Sequence, residues 1–367
     1  MKRRILALMT AMTMALSLGA CGLFGTEKEQ GTSEDENTLT VWCWGQSSWQ
    51  YAMEEAEAMY QEEHPEFRIA VTEHSWEDIQ KQLQEAGSSE DVTALPDILL
   101  VRDQELVEDT DQMADLFADL SESGIDFSQF DEHKTQQTTV DDVLYGLPMD
   151  QGTMVLMMRT DLLEKAGLTI DDFTNITWEA FNEMGRTVLE KTGQPMLVVR
   201  ASGRLRERIP DAVYQTMKED GVLIEVESED QYLSAVSGED TVALIDNCEI
   251  FAELMNGNIG AGNWALTNLP AEAEQGDGGH YDTDGGCSWM VTANCEKREL
   301  AFDFLKNTFG SSTDLYETLL EDAGLLGCYL PLRQTRTFSG PQAFFDNQTI
   351  YVLLTDFNER ALQVQQQ

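Results

Sequence analysis

The order of strand-like and helix-like segments constrains the fold of this chain more than any other feature. Between residues 39 and 101 the pattern runs strand, helix, strand, helix, strand, and the last strand (DILLV, residues 97–101) is almost entirely apolar. Such a run is typical of a strand that is buried on both faces. The alternation predicts a parallel sheet covered by helices on both sides. A second region of this kind begins near Met149, and a length of 367 residues also favours about two domains.

Helix-ending signals are clearest in the second region. Residues 161–166 are expected to form a short helix that stops at Gly167, and Thr177 is expected to cap a longer helix that ends at Gly193. Further short strands are expected at residues 195–200, 222–226, 241–246 and 287–292. The whole pattern predicts an α/β fold.

The net charge of the chain limits the partners it can have. With 67 acidic and 23 basic residues, the formal net charge is −44. A surface of this sign repels nucleic acid and anionic lipid head groups, so we expect no nucleic-acid partner. The excess of carboxylates itself argues only for solubility.

The N-terminus has the pattern of a secretion signal. Three basic residues precede an apolar run at residues 5–18, which is too short to span a membrane. The sequence Leu18-Gly19-Ala20-Cys21 then resembles the lipobox of bacterial lipoproteins, which implies removal of residues 1–20 and lipidation of Cys21. Residues 21–38 are expected to form a lipid-anchored flexible linker. An ordinary secreted protein is the alternative.

The remaining cysteines argue against both a zinc site and a disulfide framework. They are odd in number and irregularly spaced, and no CxxC pair occurs among them: Cys43, Cys248, Cys287, Cys295 and Cys328. We expect buried free thiols, although Cys287 and Cys295 could pair. His64 and His74 could share a metal ion, but solvent-facing histidines are far more common. We therefore predict no metal and no cofactor.

An ordered set of motifs resembles a known family. The segments are YGLPMD at 145–150, a strand at 153–159, DLLEKAGL at 161–168, TWEAF at 177–181, GGCSWMV at 285–291 and AFDFLK at 301–306. This order is similar to that of the bacterial extracellular solute-binding proteins of the maltose-binding type, which serve ABC importers of sugars.

The resemblance implies a type II periplasmic-binding-protein fold, with two α/β lobes, each a mostly parallel sheet flanked by helices, and a ligand cleft between them. The first lobe would comprise residues 39–148 with 287–328. The second would comprise 149–286 with 329–367, and it looks shorter than is usual in the family. The protein would be a monomeric, lipid-anchored extracytoplasmic receptor without catalytic activity, whose partners are a mono- or oligosaccharide and the transmembrane subunits of an ABC permease.

Candidate ligand-binding residues follow from strand ends and crossing segments on that implied fold. They are aromatic residues for stacking and polar residues for hydroxyl groups: Trp44, Gln46, Asp103, Asp150, Asn247, Trp264 and Trp289, with Glu249 as a weaker candidate. Packing in the core is the alternative for the tryptophans, and helix capping for the aspartates. Trp44 is expected to face the cleft and Trp42 to be covered by a helix. Trp49, Trp76 and Trp178 fall on helical apolar stripes and are expected to pack in the core or at helix starts.

Two other functions remain open at this stage. A surface glycoside hydrolase would use a pair of carboxylates, but among 67 acidic residues close pairs are expected by chance. A receptor for a non-sugar solute would need its own recognition pattern, and the chain has no clear set of convergent metal ligands.

Overall fold

The computed structural model describes residues 36–44, 48–89, 92–104, 114–239 and 241–365. These residues belong to one compact unit. The predicted signal peptide, Cys21 with nearly all of the linker, and Gln46 lie outside the described residues. No helix within the described ranges is long and apolar enough to cross a membrane.

Two five-stranded mixed sheets organise the chain into two lobes. The first sheet has the order β2-β1-β3-β12-β6, with β1 at Thr38–Cys43, β2 at Arg68–Glu73, β3 at Ile98–Arg102, β6 at Gly146–Pro148 and β12 at Cys287–Val291. The second has the order β11-β7-β10-β8-β9, with β7 at Met154–Arg159, β8 at Leu197–Arg200, β9 at Leu223–Val226, β10 at Ala243–Asn247 and β11 at Trp264–Thr267. A small hairpin joins β4 (Thr139–Val140) and β5 (Val143–Leu144).

Helices cover both sheets. In chain order they are α1 Ser48–Tyr60, α2 Trp76–Ser89, α3 Glu132–Gln137, α4 Thr160–Ala166, α5 Trp178–Thr192, α6 Arg204–Arg208, α7 Asp211–Glu219, α8 Glu229–Ser237, α9 Ile250–Asn256, α10 Arg298–Asn307, α11 Thr313–Ala323, α12 Arg336–Ser339 and α13 Ile350–Gln365. The predicted α/β fold is confirmed.

The parallel part of the first sheet forms as the alternation predicts. β1 pairs in parallel with β2 and β3, whereas β12 runs antiparallel between β3 and β6. The apolar strand β3 is buried from Ile98 to Val101, as expected for a strand covered on both faces. All six residues of β7 are also buried, and its side chains alternate between two hydrophobic clusters, with Val155 in one and Leu156 in the other.

The predicted helix ends in the second lobe are confirmed. The Thr177 side chain accepts a hydrogen bond from the backbone N–H of Ala180 at 3.2 Å, and α5 ends at Gly193, which has a φ of +76°. Gly167 ends α4 in the same left-handed conformation, with a φ of +77°. These local signals position the helices that pack on the second sheet.

The cysteines of the described residues are buried free thiols. Cys43, Cys248, Cys287, Cys295 and Cys328 are unpaired and have low exposure. The prediction of free thiols is therefore confirmed for these five positions.

Candidate functional site

Three chain segments meet where the two lobes join. The first runs from β6 to β7 through residues 149–153, and the second runs through residues 282–286 to β12. They are bonded side by side: Asp284 N–H donates to Gly152 O at 3.0 Å and Met149 N–H donates to Cys287 O at 2.9 Å. A third segment joins them through Cys328 N–H, which donates to Met149 O at 2.9 Å. This junction brings the facing edges of the two sheets together.

Strand direction decides which residues reach the junction. β1 and β3 both run toward it, so Trp44 and Asp103 follow their carboxyl ends, and β12 starts there at Cys287, opposite Arg102. In the second sheet β10 also ends there, with Asn247 opposite the first residue of β7. The carboxyl-end rule for ligand sites in open α/β sheets therefore applies to both lobes.

Two glycines allow the segments to approach closely. Gly286 has a φ of +72°, and a Cβ atom there would lie 2.4 Å from the backbone oxygen of Asp150. Gly152 has a φ of +57°, and its Cβ would lie 2.6 Å from Gly286 N. A side chain at either position would push the crossing segments apart.

We expect Gly286→Ala to cost about 1–3 kcal/mol more in the free energy of unfolding than Gly167→Ala, because of overpacking at the junction. Gly167 is a matched control, since it has a similar φ of +77° but no atom within 4 Å of its Cβ position. Its replacement should cost only about 1–2 kcal/mol for the left-handed backbone. Urea denaturation measures both values, and equal losses would contradict the close approach.

A buried ion pair lies behind the junction. Asp103 is fully buried and pairs with Lys134 of α3, whose ammonium group also donates to the backbone oxygen of Gly285. Burial alone would lower the pKa of Lys134, but attraction by Asp103, with contributions from Cys328 and Asp150, raises the pKa above its usual value. Burial raises the pKa of Asp103, although Lys134 opposes the rise. The pair thus joins α3 to the end of β3 and to the second crossing segment.

Asp150 is oriented by the backbone of the junction. It is 2% exposed, and its Oδ1 atom accepts hydrogen bonds from Cys287 N–H at 3.1 Å and Gly152 N–H at 3.2 Å. Its side chain also shares a hydrogen bond with the carboxyl group of Glu249. The backbone of the first lobe and a side chain of the second lobe therefore both hold this buried carboxylate.

A partly exposed polar group faces Asp150 from the second lobe. Asn247 donates to Asp284 Oδ2 at 2.7 Å and accepts from Glu249 N–H at 2.9 Å. Burial, with repulsion from Asp150, raises the pKa of Asp284 to about 6, and Asn247 and Arg102 oppose this rise. Burial, the charges of Asp150 and Asp284 and a side-chain hydrogen bond with Asp150 likewise raise the pKa of Glu249 well above its usual value. Apart from this shared hydrogen bond, the group is rich in acceptor oxygens.

An aromatic surface borders the polar group on the first lobe. The exposed guanidinium of Arg102 lies 4.7 Å from the ring centroid of Trp44 and 5.2 Å from that of Trp76, and the two rings meet edge to face at 5.7 Å. Trp76 is half-buried, so part of its ring remains accessible. Arg102 also attracts the carboxylates of Glu249 and Asp284, and it therefore links the aromatic and polar halves of the site.

The structure brings four of the predicted ligand-binding residues to one place: Trp44, Asp103, Asp150 and Asn247, with the weaker candidate Glu249 beside them. Sequence reasoning missed Arg102, Lys134 and Asp284 as members of this set. Arg102 could have been found, since it directly precedes Asp103 at the strand end. The position of Lys134 had no local signal, because its partner is 31 residues away.

Trp264 and Trp289 lie away from this set, which corrects their predicted positions. Trp289 is fully buried in the first lobe, 6.2 Å from the ring centroid of Trp49, because β12 is an inner strand covered by helices. Trp264 is 2% exposed and pairs with Arg159, the last residue of β7, whereas the junction lies at the first residue of that strand. Neither ring faces the junction.

The predictions for Trp42 and Trp44 also need correction. Trp76 was expected to pack in the core or at a helix start, and it is the first residue of α2, where its ring meets that of Trp44 beyond the end of β1. Trp42 was expected to be covered by a helix, but it lies half-buried on the face of β1 opposite Val41 and Cys43, with its ring centroid 4.4 Å from that of His74 and the two rings tilted by 51°. Trp44 is only 6% exposed, and its indole N–H donates to Leu100 O at 3.1 Å. The core positions of Trp49 and Trp178 are confirmed, each at 1% exposure.

Comparisons with known proteins find solute-binding proteins at the level of the family, of related sequences and of solved structures. The family described as "Bacterial extracellular solute-binding protein" matches residues 55–338. The lactose-binding protein of Rhizobium radiobacter is 27% identical over 383 residues, which cover 97% of this chain and 87% of that protein.

Solved structures share the fold. The GacH receptor of Streptomyces glaucescens, determined unliganded and with acarbose, has a TM-score of 0.68 at 16% identity, over 89% of this chain and 92% of that one. The galacto-N-biose-/lacto-N-biose I-binding protein of Bifidobacterium longum has a TM-score of 0.67 at 17% identity, over 89% of this chain and 87% of that one. The predicted two-lobed architecture is confirmed by these likenesses.

Proposed function

The chain belongs to the bacterial extracellular solute-binding proteins, and from that premise we propose that it is the carbohydrate receptor of an ABC importer. It binds a mono- or oligosaccharide between its two lobes on the extracytoplasmic side of the membrane and presents it to the permease. Relatives whose names specify lactose and lacto-N-biose support a sugar as the ligand class. The relatives that the comparisons bring out are binding proteins, which argues against the glycoside hydrolase alternative.

The observation that carries this proposal is the surface made by Trp76, Arg102, Asn247 and Asp284 where the lobes meet. Sugars present apolar C–H patches and hydroxyl groups at the same time. An accessible indole face suits the C–H patches, while the guanidinium and the carboxylate and amide oxygens bond to hydroxyls that would otherwise be buried without partners. The acceptor-rich side of the surface matches a ligand that carries many O–H donors.

Ligand binding acts by shifting the balance between open and closed lobes. Residues that contact the sugar come from both sheets, so the bound sugar favours the closed arrangement over the open one. We assign residues 39–148 with 287–328 to the first lobe and 149–286 with 329–367 to the second, because the strands of each sheet fall within those ranges apart from Thr38, the first residue of β1.

We further propose that the mature chain is a monomer tethered to the outer face of the cell membrane through lipid on Cys21. The basic residues, the apolar run and the Leu-Gly-Ala-Cys sequence at residues 18–21 support this anchor.

A thermal-shift screen tests the proposed function. Lactose, lacto-N-biose, arabino-oligosaccharides and acarbose are suitable first ligands, because similar proteins are named for the first three and the GacH receptor was determined with acarbose. A sugar at 100 times its dissociation constant should stabilise the protein by about 2.7 kcal/mol. The proposal fails if no sugar in the screen shifts the melting temperature and a chromogenic glycoside is hydrolysed in a reaction that Asp150→Asn abolishes.

With the best sugar from that screen, Trp76→Ala should weaken binding about tenfold, equal to roughly 1.4 kcal/mol, through loss of the indole face. Phe344→Ala is the matched control, because Phe344 is also a half-buried ring but lies beside Gly262, near the far end of the second sheet. Isothermal titration calorimetry measures both affinities. If the two variants bind equally well, Trp76 has no part in the site.

A further inference from the structure

We propose that Arg204 is a sugar-binding residue of the second lobe, and that its guanidinium group donates hydrogen bonds to hydroxyl oxygens of the ligand. The inference rests on the proposed function and deepens it, because it adds a donor to a surface that is rich in acceptor oxygens. The counterpart of Arg204 in the first lobe is Arg102, so each lobe would contribute one guanidinium group to the site.

The fold places Arg204 on the side of the second sheet that faces the junction. β8 runs parallel to β10, whose carboxyl end reaches the junction, so β8 ends on the same side. Arg204 begins α6, and only residues 201–203 separate it from the end of β8. Ligand sites in open α/β sheets lie at such carboxyl ends. Arg204 therefore follows a strand end in the second lobe much as Asp103 follows β3 in the first.

A buried carboxylate of the second crossing segment orients the Arg204 side chain. The Nε and Nη2 atoms of Arg204 donate to Asp282 Oδ2 at 3.0 Å and to Asp282 Oδ1 at 2.7 Å. Asp282 is 7% exposed, and its backbone oxygen accepts from the N–H of Met154, the first residue of β7, at 3.0 Å. Two parallel hydrogen bonds fix the plane of the guanidinium. Little side-chain freedom is therefore left to lose when a ligand binds.

The outer part of the guanidinium remains available for a ligand. The Arg204 side chain is 44% exposed, and its Nη1 atom has no hydrogen-bond partner among the described residues. A guanidinium has five N–H donors, and Asp282 takes two of them. Asp284, a member of the proposed sugar surface, attracts Arg204 as well as Arg102. The free donors of Arg204 therefore lie near the acceptor oxygens that would bind the same sugar.

The chemistry of sugars calls for such a donor. A hydroxyl group both donates and accepts, so a site made mainly of acceptors would leave sugar oxygens unpaired. In the second lobe the amide of Asn247 already donates to Asp284 at 2.7 Å. Arg204 supplies further donors on this side of the junction, and a charged donor makes a stronger hydrogen bond than a neutral one. Loss of the guanidinium should therefore weaken binding of the sugar.

The test uses the full chain and the best sugar from the thermal-shift screen, with affinities measured by isothermal titration calorimetry. Arg204→Met should weaken binding at least about tenfold, because hydrogen bonds from a charged donor are lost.

Arg208→Met is the matched control for Arg204→Met. Arg208 pairs with the same carboxylate of Asp282 at 2.7 Å, but it also donates to Gly279 O and its side chain is only 17% exposed. The Arg208 variant should therefore keep the wild-type affinity. In each variant the remaining arginine still pairs with Asp282, so no buried carboxylate is left without a counter-ion.

Chemical modification provides a measurement on the wild-type protein, which is independent of how the variants fold. Phenylglyoxal modifies accessible guanidinium groups, and mass spectrometry of peptides reports the extent at each arginine. At 100 times its dissociation constant, the sugar should slow modification of Arg204 at least about tenfold. Arg186 is the control, because it is 49% exposed and pairs with Asp220, and its modification should not change.

The inference is overturned if Arg204→Met binds the sugar as tightly as wild type, or if the sugar leaves the modification of Arg204 unchanged. It is equally overturned if Arg208→Met loses as much affinity as Arg204→Met, since Arg204 would then act only through Asp282. If Trp76→Ala loses affinity and Arg204→Met does not, the proposed function stands without Arg204. If no sugar binds the wild-type protein, the proposed function and this inference both fail.

Discussion

Replacement of Lys134 by methionine is expected to lower the free energy of unfolding by about 3–5 kcal/mol. Asp103 is fully buried, and Lys134 is its ion-pair partner. The methionine side chain fills a similar volume but leaves the carboxylate of Asp103 as a buried charge without a counter-ion. Removing one partner of a buried ion pair therefore lowers the free energy of unfolding strongly, even where the intact pair contributes little net stability. The midpoint of urea denaturation measures the loss.

Arg360→Met is the control for the Lys134 experiment. Arg360 pairs with Asp356 on α13 at 2.8 Å, and both side chains are half-exposed. Such a surface pair contributes only about 0.3–0.5 kcal/mol. The double variant Lys134→Met with Asp103→Asn should regain part of the lost stability, because no unpaired charge remains. A loss for Lys134→Met as small as the control loss would contradict the role of the pair.

Trp289→Ala is expected to cost about 3–5 kcal/mol in the free energy of unfolding, the range for large aromatic residues in a core. The ring is fully buried between Trp49, at 6.2 Å between ring centroids, and Phe309, at 6.1 Å. Its removal leaves a cavity that the close-packed surroundings fill only in part.

Trp289→Phe is the conservative control, and it should cost much less than the alanine variant. The indole N–H of Trp289 has no hydrogen-bond partner within the described ranges, so phenylalanine removes volume but no hydrogen bond seen there. The two alanine variants also distinguish a core residue from a ligand-binding residue. Trp289→Ala should keep its sugar affinity per folded molecule, whereas Trp76→Ala should lose affinity. A loss of affinity in Trp289→Phe without a loss of stability would place Trp289 in the ligand site instead.

The tryptophans show where pattern reasoning about aromatic residues succeeds and fails. Trp76 and Trp178 are each the first residue of a helix, yet Trp178 is 1% exposed whereas Trp76 is half-buried. Trp178 meets Phe181 of its own helix, whereas Trp76 meets Trp44, which is distant in sequence, so helical periodicity does not separate the two. The strand β12 could be predicted from its composition, but its inner place between β3 and β6 could not.

The carboxylates Asp103 and Asp150 also show which features can be predicted from local sequence and which cannot. Asp103 and Asp150 could be selected because they follow a strand and begin a crossing segment. Their different environments could not be foreseen, since Asp103 is paired with Lys134 while Asp150 shares a hydrogen bond with Glu249. Both outcomes depend on side chains that are distant in sequence.

The sequence by itself determined the α/β class, the two regions, the ends of α4 and α5 and the family, because these depend on local periodicity, on capping residues and on the order of motifs. Only the tertiary structure decided which strands lie inside each sheet, and which of Trp44, Trp76 and Trp289 have accessible rings. It also decided that Asp150, Glu249 and Cys287 meet. The physical reason is that burial and electrostatic neighbours arise from long-range pairing between the crossing segments, and no local pattern in the chain encodes that pairing.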